Sequence, residues 1–323
     1  MAESGNFDLR FMEMEDDDID EFMVNQENNS TKIKTRQHVG LFRAFLEQQH
    51  GIDIPIHRLP PEELNNHIAN FIVSVRKKNG KEYEPSSLRG IFSSLDRHLR
   101  RNKYGFSLMD DLQFARSREA LKAKQKNLKA KGLGNKPNKA DPLTDQDIEI
   151  LFDRGQLGMD TPSAIINTLW LFNTIIFGMR GGNEHRDMCW GDVVMKSNEN
   201  GRRYLEYHER QTKTRTGANP RDTRPVAPKM YENFDDESRC PVKLYERYRD
   251  ARPADYSEPD HPFYLAIKYE NDGKSLFKWG ALGVNILYGL MKSVIRKAGL
   301  QGDRNLTNQC TAALIGLPLR ATT

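Results

Sequence analysis

An arginine closes an apolar run in this chain. The segment TLWLFNTIIFGM (residues 168–179) leads into Arg180, Gly181 and Gly182, and a charged string, NEHRD, follows. A guanidinium at such a junction has two readings. It pairs with Glu184 one turn on, or it grips an oxyanion, which its planar donors match bidentately. Spacing does not choose between them. A second candidate is RQTKTRTGANPRDTRPV (residues 210–226), where Arg210, Lys213, Arg215, Arg221 and Arg224 crowd one hairpin-like stretch. A lysine held there beside a bound phosphate could protonate an alkoxide leaving group. Other chemistries find no footing. The sequence has no phosphate loop, no GxGxxG and no HExxH; His185 and His208 stand isolated and read as surface or core residues. Cys189, Cys240 and Cys310 lie too far apart in sequence for a zinc site or a disulfide framework. No metal or cofactor is expected.

Charge narrows the class of partner. Residues 1–30 carry ten acids, including Asp16, Asp17 and Asp18, against one base, Arg10; with a whole-chain charge of +4, residues 31–323 carry about +13. A body this basic suits a polyanion, and nucleic acid is favoured over the plainer reading of a soluble protein with an acidic tail. The most basic stretch is residues 116–139, where Arg116, Arg118, Lys122, Lys124, Lys126, Lys129, Lys131, Lys136 and Lys139 face one acid, Glu119. Like charges at this density repel unless an anion lies nearby, so the stretch reads as a strap along a phosphate backbone. No run reaches the ~18 apolar residues of a membrane span, and no secretory pattern opens the chain, so a soluble intracellular protein without membrane contact is expected.

The elements that must hold these residues follow from periodicity. Residues 1–30 read as an acidic disordered tail. Residues 31–115 read as a helical domain, with Val39, Phe42 and Leu46 on one helix, Leu64, Ile68, Phe71, Ile72 and Val75 on a second, and Leu88, Phe92, Leu95 and Leu99 on a third. The third ends in Arg97, His98, Arg100, Arg101 and Lys103, a further candidate DNA-facing surface. Residues 116–140 read as a basic linker, helical at first and then broken by Gly132, Gly134 and Pro137. From residue 141 a second domain opens with a helix capped by Thr144 and Asp147, continues into the apolar helix after Thr161-Pro162, and then places strands at 204–208, 223–227 and 261–267. Two more helices are expected, PVKLYERYRD between the second and third of these strands and an amphipathic one at the end, closed by Gly299. The fold class expected is mainly α with a small β component.

With these residues laid out, the chain resembles the tyrosine recombinases. GMRGGNEHRDMCWGDV (residues 178–193) is similar to their first-arginine motif. The order of LKAKQKNLKAKGLGNKPNKADPLT, that motif, ERQTKTRTG, CPVKLYERYRDARP, FKWGALGVNILYGLMKSVIRKAGL and LTN resembles the Crypton-type recombinases and their domesticated relatives, which include the C-terminal domain of MYM-type zinc-finger proteins and of glutamine-rich protein 1. The likeness runs from about residue 31 to residue 308. It implies a helical core-binding (SAM-like) domain and a mixed α+β catalytic domain spanning 141–308 that clamp DNA. It implies that Arg180 corresponds to the arginine gripping the scissile phosphate and Lys213 to the hairpin lysine that assists the leaving oxygen.

The family pattern fails at the C-terminal end. After Leu306-Thr307-Asn308 the family continues His-Ser-x-Arg-Ala-Thr, whereas residues 309–323 read QCTAALIGLPLRATT, with Leu317 where the histidine belongs and Arg320-Ala321-Thr322 like the displaced end of the motif. The family's nucleophile is a tyrosine near the C-terminus, and the last tyrosine here is Tyr288, read as helix packing or surface. The expectation is therefore a recombinase-derived, nuclear DNA-binding protein of the DNA recombination and integration family, C-terminally truncated and inactive as written. Arg180 and Lys213 remain as remnants of the catalytic set, and Arg116, Arg118, Lys122, Lys124, Lys126, Lys129, Lys131 and Arg215 are the expected DNA contacts, with self-association or chromatin proteins as further partners. The alternatives are a fragment of an active mobile-element recombinase, which cleaves and rejoins DNA strands, and a protein-interaction module of a transcriptional regulator.

Overall fold

The computed structural model describes residues 12–134, 141–212, 215–269, 275–300, 304 and 306, and the chain divides into two units, one up to Pro137 and one from Asn138. Lys136, Lys139, Lys213 and residues 309–323 lie outside the described residues.

The first unit is helical. Helices α2 (Asn29–His50), α3 (Pro61–Ser74), α4 (Pro85–Arg101) and α5 (Ala115–Ala130) pack α3 against α5 and α2 against α4. The apolar stripes meet as their periods require: Phe42 and Leu46, Ile68, Phe71 and Ile72, and Leu88, Phe92, Leu95 and Leu99 form one buried cluster. Two features depart from the expected domain layout. Residues 16–25, within the stretch read as a disordered tail, form helix α1 (Asp16–Asn25), whose start is closed by a reciprocal cap between Glu15 and Asp18. The supposed linker is α5, and it belongs to the core: Ser117, Leu121, Lys124 and Leu128 are buried, and Leu121 and Leu128 join the same cluster. Their spacing of four and seven gives α5 an inward side despite its charge.

The second unit is built around α7 (Pro162–Ile175), buried over nearly its whole circumference. Before it comes α6 (Asp145–Asp153), where Thr144 and Asp147 make the expected reciprocal cap, with the Asp147 N–H donating to Thr144 Oγ1 at 3.1 Å and the Thr144 N–H to Asp147 Oδ2 at 2.8 Å. After α7, Gly178 takes φ +73°, turning the chain into the short helix α8 (Gly181–Asp187). Strands β1 (Val193–Ser197), β2 (Arg203–Tyr207) and β3 (Lys229–Tyr231) form an antiparallel sheet in that order. Residues 223–227, expected as a strand, are irregular, and the third strand falls later, at Lys229. Helix α9 (Pro241–Ala251), the antiparallel pair β4 (Leu265–Ile267) and β5 (Phe277–Ala281), and α10 (Val284–Lys297) complete the unit. Leu287, Leu290, Met291, Val294 and Ile295 carry α10 into the core, and α10 packs on α7 and α8. Mainly α with a few antiparallel strands is thus the fold class. No helix among the described residues is long and apolar enough to cross a membrane.

Candidate nucleic-acid interface

Arg180 stands just before α8, five residues past the end of α7, rather than at the end of a core helix. Glu184 does approach it, but by the backbone: the Arg180 N–H donates to Glu184 Oε2 at 2.5 Å. Glu184 therefore caps α8, as an acid in the first turn of a helix does. Arg180 is exposed, and among the described residues its guanidinium makes no ion pair or hydrogen bond.

The loop after β2 folds back on this turn. Arg224 donates to the carbonyl of Phe177 at 2.7 Å, and the rings of Phe177 and Tyr207 stack at 5.0 Å. Burial and the nearby carboxylates of Asp192, Glu209 and Glu184 push the Tyr207 phenol up. The cations of the loop are mostly committed. Arg215 holds Glu209 with two bonds, 2.5 and 2.6 Å, and Arg224 reaches the same carboxylate at 3.6 Å. Arg210 donates to Asp192 at 2.6 Å and to Asp260 at 3.2 Å. Arg215, expected as a DNA contact, is thus neutralised within its own loop, and Arg221 is exposed. Lys213 lies outside the described residues.

A buried polar chain holds the last turn of α8 against α7. His185 stacks on Trp170 at 4.9 Å; its Nε2 is 3.0 Å from Thr174 Oγ1 and its Nδ1 2.9 Å from the Tyr264 hydroxyl. Thr174 donates to the Trp170 carbonyl at 2.8 Å, and Asn173 donates to the Tyr264 oxygen at 2.7 Å. The bonds all run one way only if His185 is neutral with its proton on Nε2, an assignment made from the network. Burial drives its pKa down to about 3. His185 is a core histidine, one of the readings its sequence position allowed. On the outer side, the Tyr288 hydroxyl of α10 donates to Asn183 Oδ1. Tyr288 packs on α8 while 48% exposed, in keeping with a reading as helix packing or surface.

The cations of the first unit divide sharply. Lys124 is buried and pairs with Glu82 at 3.0 Å, so it is no surface contact. Arg118 turns inward and donates to the carbonyls of Leu108 (3.1 Å) and Asp111 (2.6 Å). Arg116, Lys122, Lys126, Lys129 and Lys131 are exposed. Lys122, Lys126 and Lys129 are spaced four and three apart and share one outer stripe of α5. The cations closing α4 are drawn into ion pairs, Arg97 and Arg101 with Glu27 and Arg100 with Asp96 at 2.6 Å, so that surface is partly neutralised. Among the described residues no cluster of His, Cys, Asp and Glu is arranged to hold a metal ion.

Comparison with known proteins adds a second line. A family model described as a domain of unknown function, DUF3504, matches residues 143–296. The chain is 27% identical over 298 residues to the human protein described as uncharacterized protein KIAA1958, covering 90% of this chain and 41% of that protein. It is 28% identical over 216 residues to human zinc finger MYM-type protein 3, covering 63% of this chain and 15% of the relative. It is 25% identical over 209 residues to the human transcriptional regulator QRICH1, covering 63% and 26%. This chain therefore spans less than half the length of each of these relatives. The second unit is thus similar to the DUF3504 domain, and the chain to a group that includes MYM-type zinc finger proteins and a transcriptional regulator.

Proposed function

We propose that this chain is a nuclear DNA-binding module derived from a tyrosine recombinase, and that it holds the phosphate backbone through Arg180 and through Arg116, Lys122, Lys126, Lys129 and Lys131. The observation that carries this reading is Arg180: an exposed guanidinium on a backbone fixed at the start of α8 by the Glu184 cap, beside a loop in which Arg210, Arg215 and Arg224 already have carboxylate partners. A cation held in place without a carboxylate is set to take an oxyanion. The exposed stripe on α5 supplies the sequence-independent part of the binding. The zinc finger and transcriptional-regulator relatives favour a nuclear setting. The reading concerns binding, and Arg180 supplies a phosphate grip rather than a nucleophile.

The test is fluorescence anisotropy with a labelled duplex across a salt series. Expected is a linear fall of log K with log salt, by ~0.9 per neutralised phosphate. Arg180→Ala and the double change Lys122→Ala/Lys126→Ala should each weaken binding and flatten that slope. Binding without salt dependence, or unchanged in both variants, would overturn the assignment. A second reading, a protein-interaction module of a regulator, is favoured by the transcriptional-regulator relative; it predicts no salt-dependent duplex binding at all.

A further inference from the structure

Helix α1 has two distinct sides. Ile19, Phe22 and Met23 fall at positions i, i+3 and i+4 on one side and are 43%, 60% and 57% exposed. Asp17, Asp18 and Glu21 lie off that stripe, Asp16 stands one turn before Ile19 at its end, and Val24, 48% exposed, faces away from it. No residue described in α1 is buried. Its base is nevertheless held. Glu27, just beyond its end, pairs with Arg97 (3.6 Å) and with Arg101, Asn28 caps α2 through the Ser30 N–H (2.9 Å), and Lys32 donates to Asn25 at 3.3 Å. A ten-residue helix is marginal in water on its own, and this one shows solvent three large apolar side chains at anchor spacing.

We infer that α1 is a ligand helix, which lays Ile19, Phe22 and Met23 into an apolar groove rimmed by lysine or arginine on a partner protein. Anchors at i, i+3 and i+4 are the pattern by which an amphipathic helix fills such a groove. The acids around them match a basic rim and oppose an acidic one. Two nearer occupants fit poorly. The outer stripe of α5 has the right charge, but its exposed residues Lys122, Ala123, Lys126 and Asn127 form no apolar groove. A second copy of α1 would set Asp16, Asp17, Asp18 and Glu21 against their own kind. The inference does not depend on the DNA reading, since none of the proposed phosphate contacts lies on α1.

The test uses the full chain with a photoreactive benzoylphenylalanine in place of Phe22, expressed in cells, irradiated, and compared with the same group at Leu112, which is exposed on the same unit. The captured protein is then identified, purified and titrated against the full chain by calorimetry. Expected is a partner whose affinity falls at least about tenfold on Ile19→Ala/Met23→Ala, a loss typical of central apolar anchors. Asp16→Asn/Asp17→Asn/Asp18→Asn should weaken it several-fold at low salt and little at high salt. Unchanged thermal unfolding and DNA affinity of the variants would show that the loss belongs to α1. The inference is overturned by cross-linking to a second copy or to the chain itself, by capture no greater than from residue 112, or by a captured protein indifferent to the substitutions.

Discussion

The ring of Tyr288 lies so close over Gly182 that a β-carbon on that glycine would stand 2.6 Å from Tyr288 Cδ1 and 2.7 Å from Cε1. Residue 182 must be glycine for α10 to lie against α8 in this way. Gly182→Ala should destabilise the protein by about 1–3 kcal/mol, the range for overpacking a filled site. It should also weaken DNA binding, because the ring holds the turn that carries Arg180. Tyr288→Ala in the same chain should restore part of the lost stability. Thermal unfolding of the two single variants and the double variant measures the coupling.

Glu209 restrains two arginines, Arg215 and Arg224. Glu209→Gln should free them for phosphate. Duplex affinity should then rise, and the salt slope should steepen by up to ~0.9 for each arginine that gains a phosphate. An unchanged slope would show that this loop faces away from DNA.

Lys122 and Lys124 are two residues apart on α5 and opposite in role. Lys124→Ala leaves Glu82 in a largely buried place without its lysine, and should cost about 1–3 kcal/mol of stability with little change in duplex affinity. Lys122→Ala should do the reverse, weakening binding at low salt with stability nearly unchanged. Denaturant unfolding and anisotropy on the same preparations separate the two.

His185 makes stability depend on acid. Its pKa is about 3 when folded and 6.5 as a free histidine, so folding favours the neutral ring. Its contribution is complete above pH 6.5 and falls away as pH drops toward 3, with a limiting slope of about 1.4 kcal/mol per pH unit. His38 and His98, also lowered chiefly by burial, add in the same direction. Chemical denaturation between pH 7.5 and 5 should show this loss. His185→Gln should be less stable at pH 7.5 but should lose less on acidification.

The sequence was informative where one local rule decided the outcome. The stripes of α2, α3 and α4 follow from helical period, and the Thr144–Asp147 cap from a three-residue spacing. It was uninformative where composition masked a pattern. The density of lysine on α5 hid an inward row of Ser117, Leu121, Lys124 and Leu128, and the acids of α1 hid a capped helix. At the candidate site the arginine count was readable, but the state of each arginine was not. Asp192 neutralises Arg210 from 18 residues away, and the Phe177 carbonyl takes Arg224 from 47. Such pairings are set by tertiary folding. Spacing left open whether Glu184 meets Arg180, and it could not show that they meet through the backbone N–H, which leaves the guanidinium exposed.

Arg252 shows what a buried cation with no carboxylate partner among the described residues can organise. It lies 4.2 Å over the Trp190 ring and donates to the carbonyls of Phe263 (2.9 Å), Tyr256 (2.8 Å) and Pro262 (3.2 Å). One guanidinium therefore gathers three carbonyls of the segment that follows α9, and the backbone N–H of Trp190 closes the ring by donating to the His261 carbonyl at 2.8 Å. This irregular stretch has few ladder bonds, yet it cannot open without exposing the charge and the indole together. Its tightly held amides should exchange with solvent only when the whole second unit unfolds, making a loop by geometry part of the slowest-exchanging core by energetics.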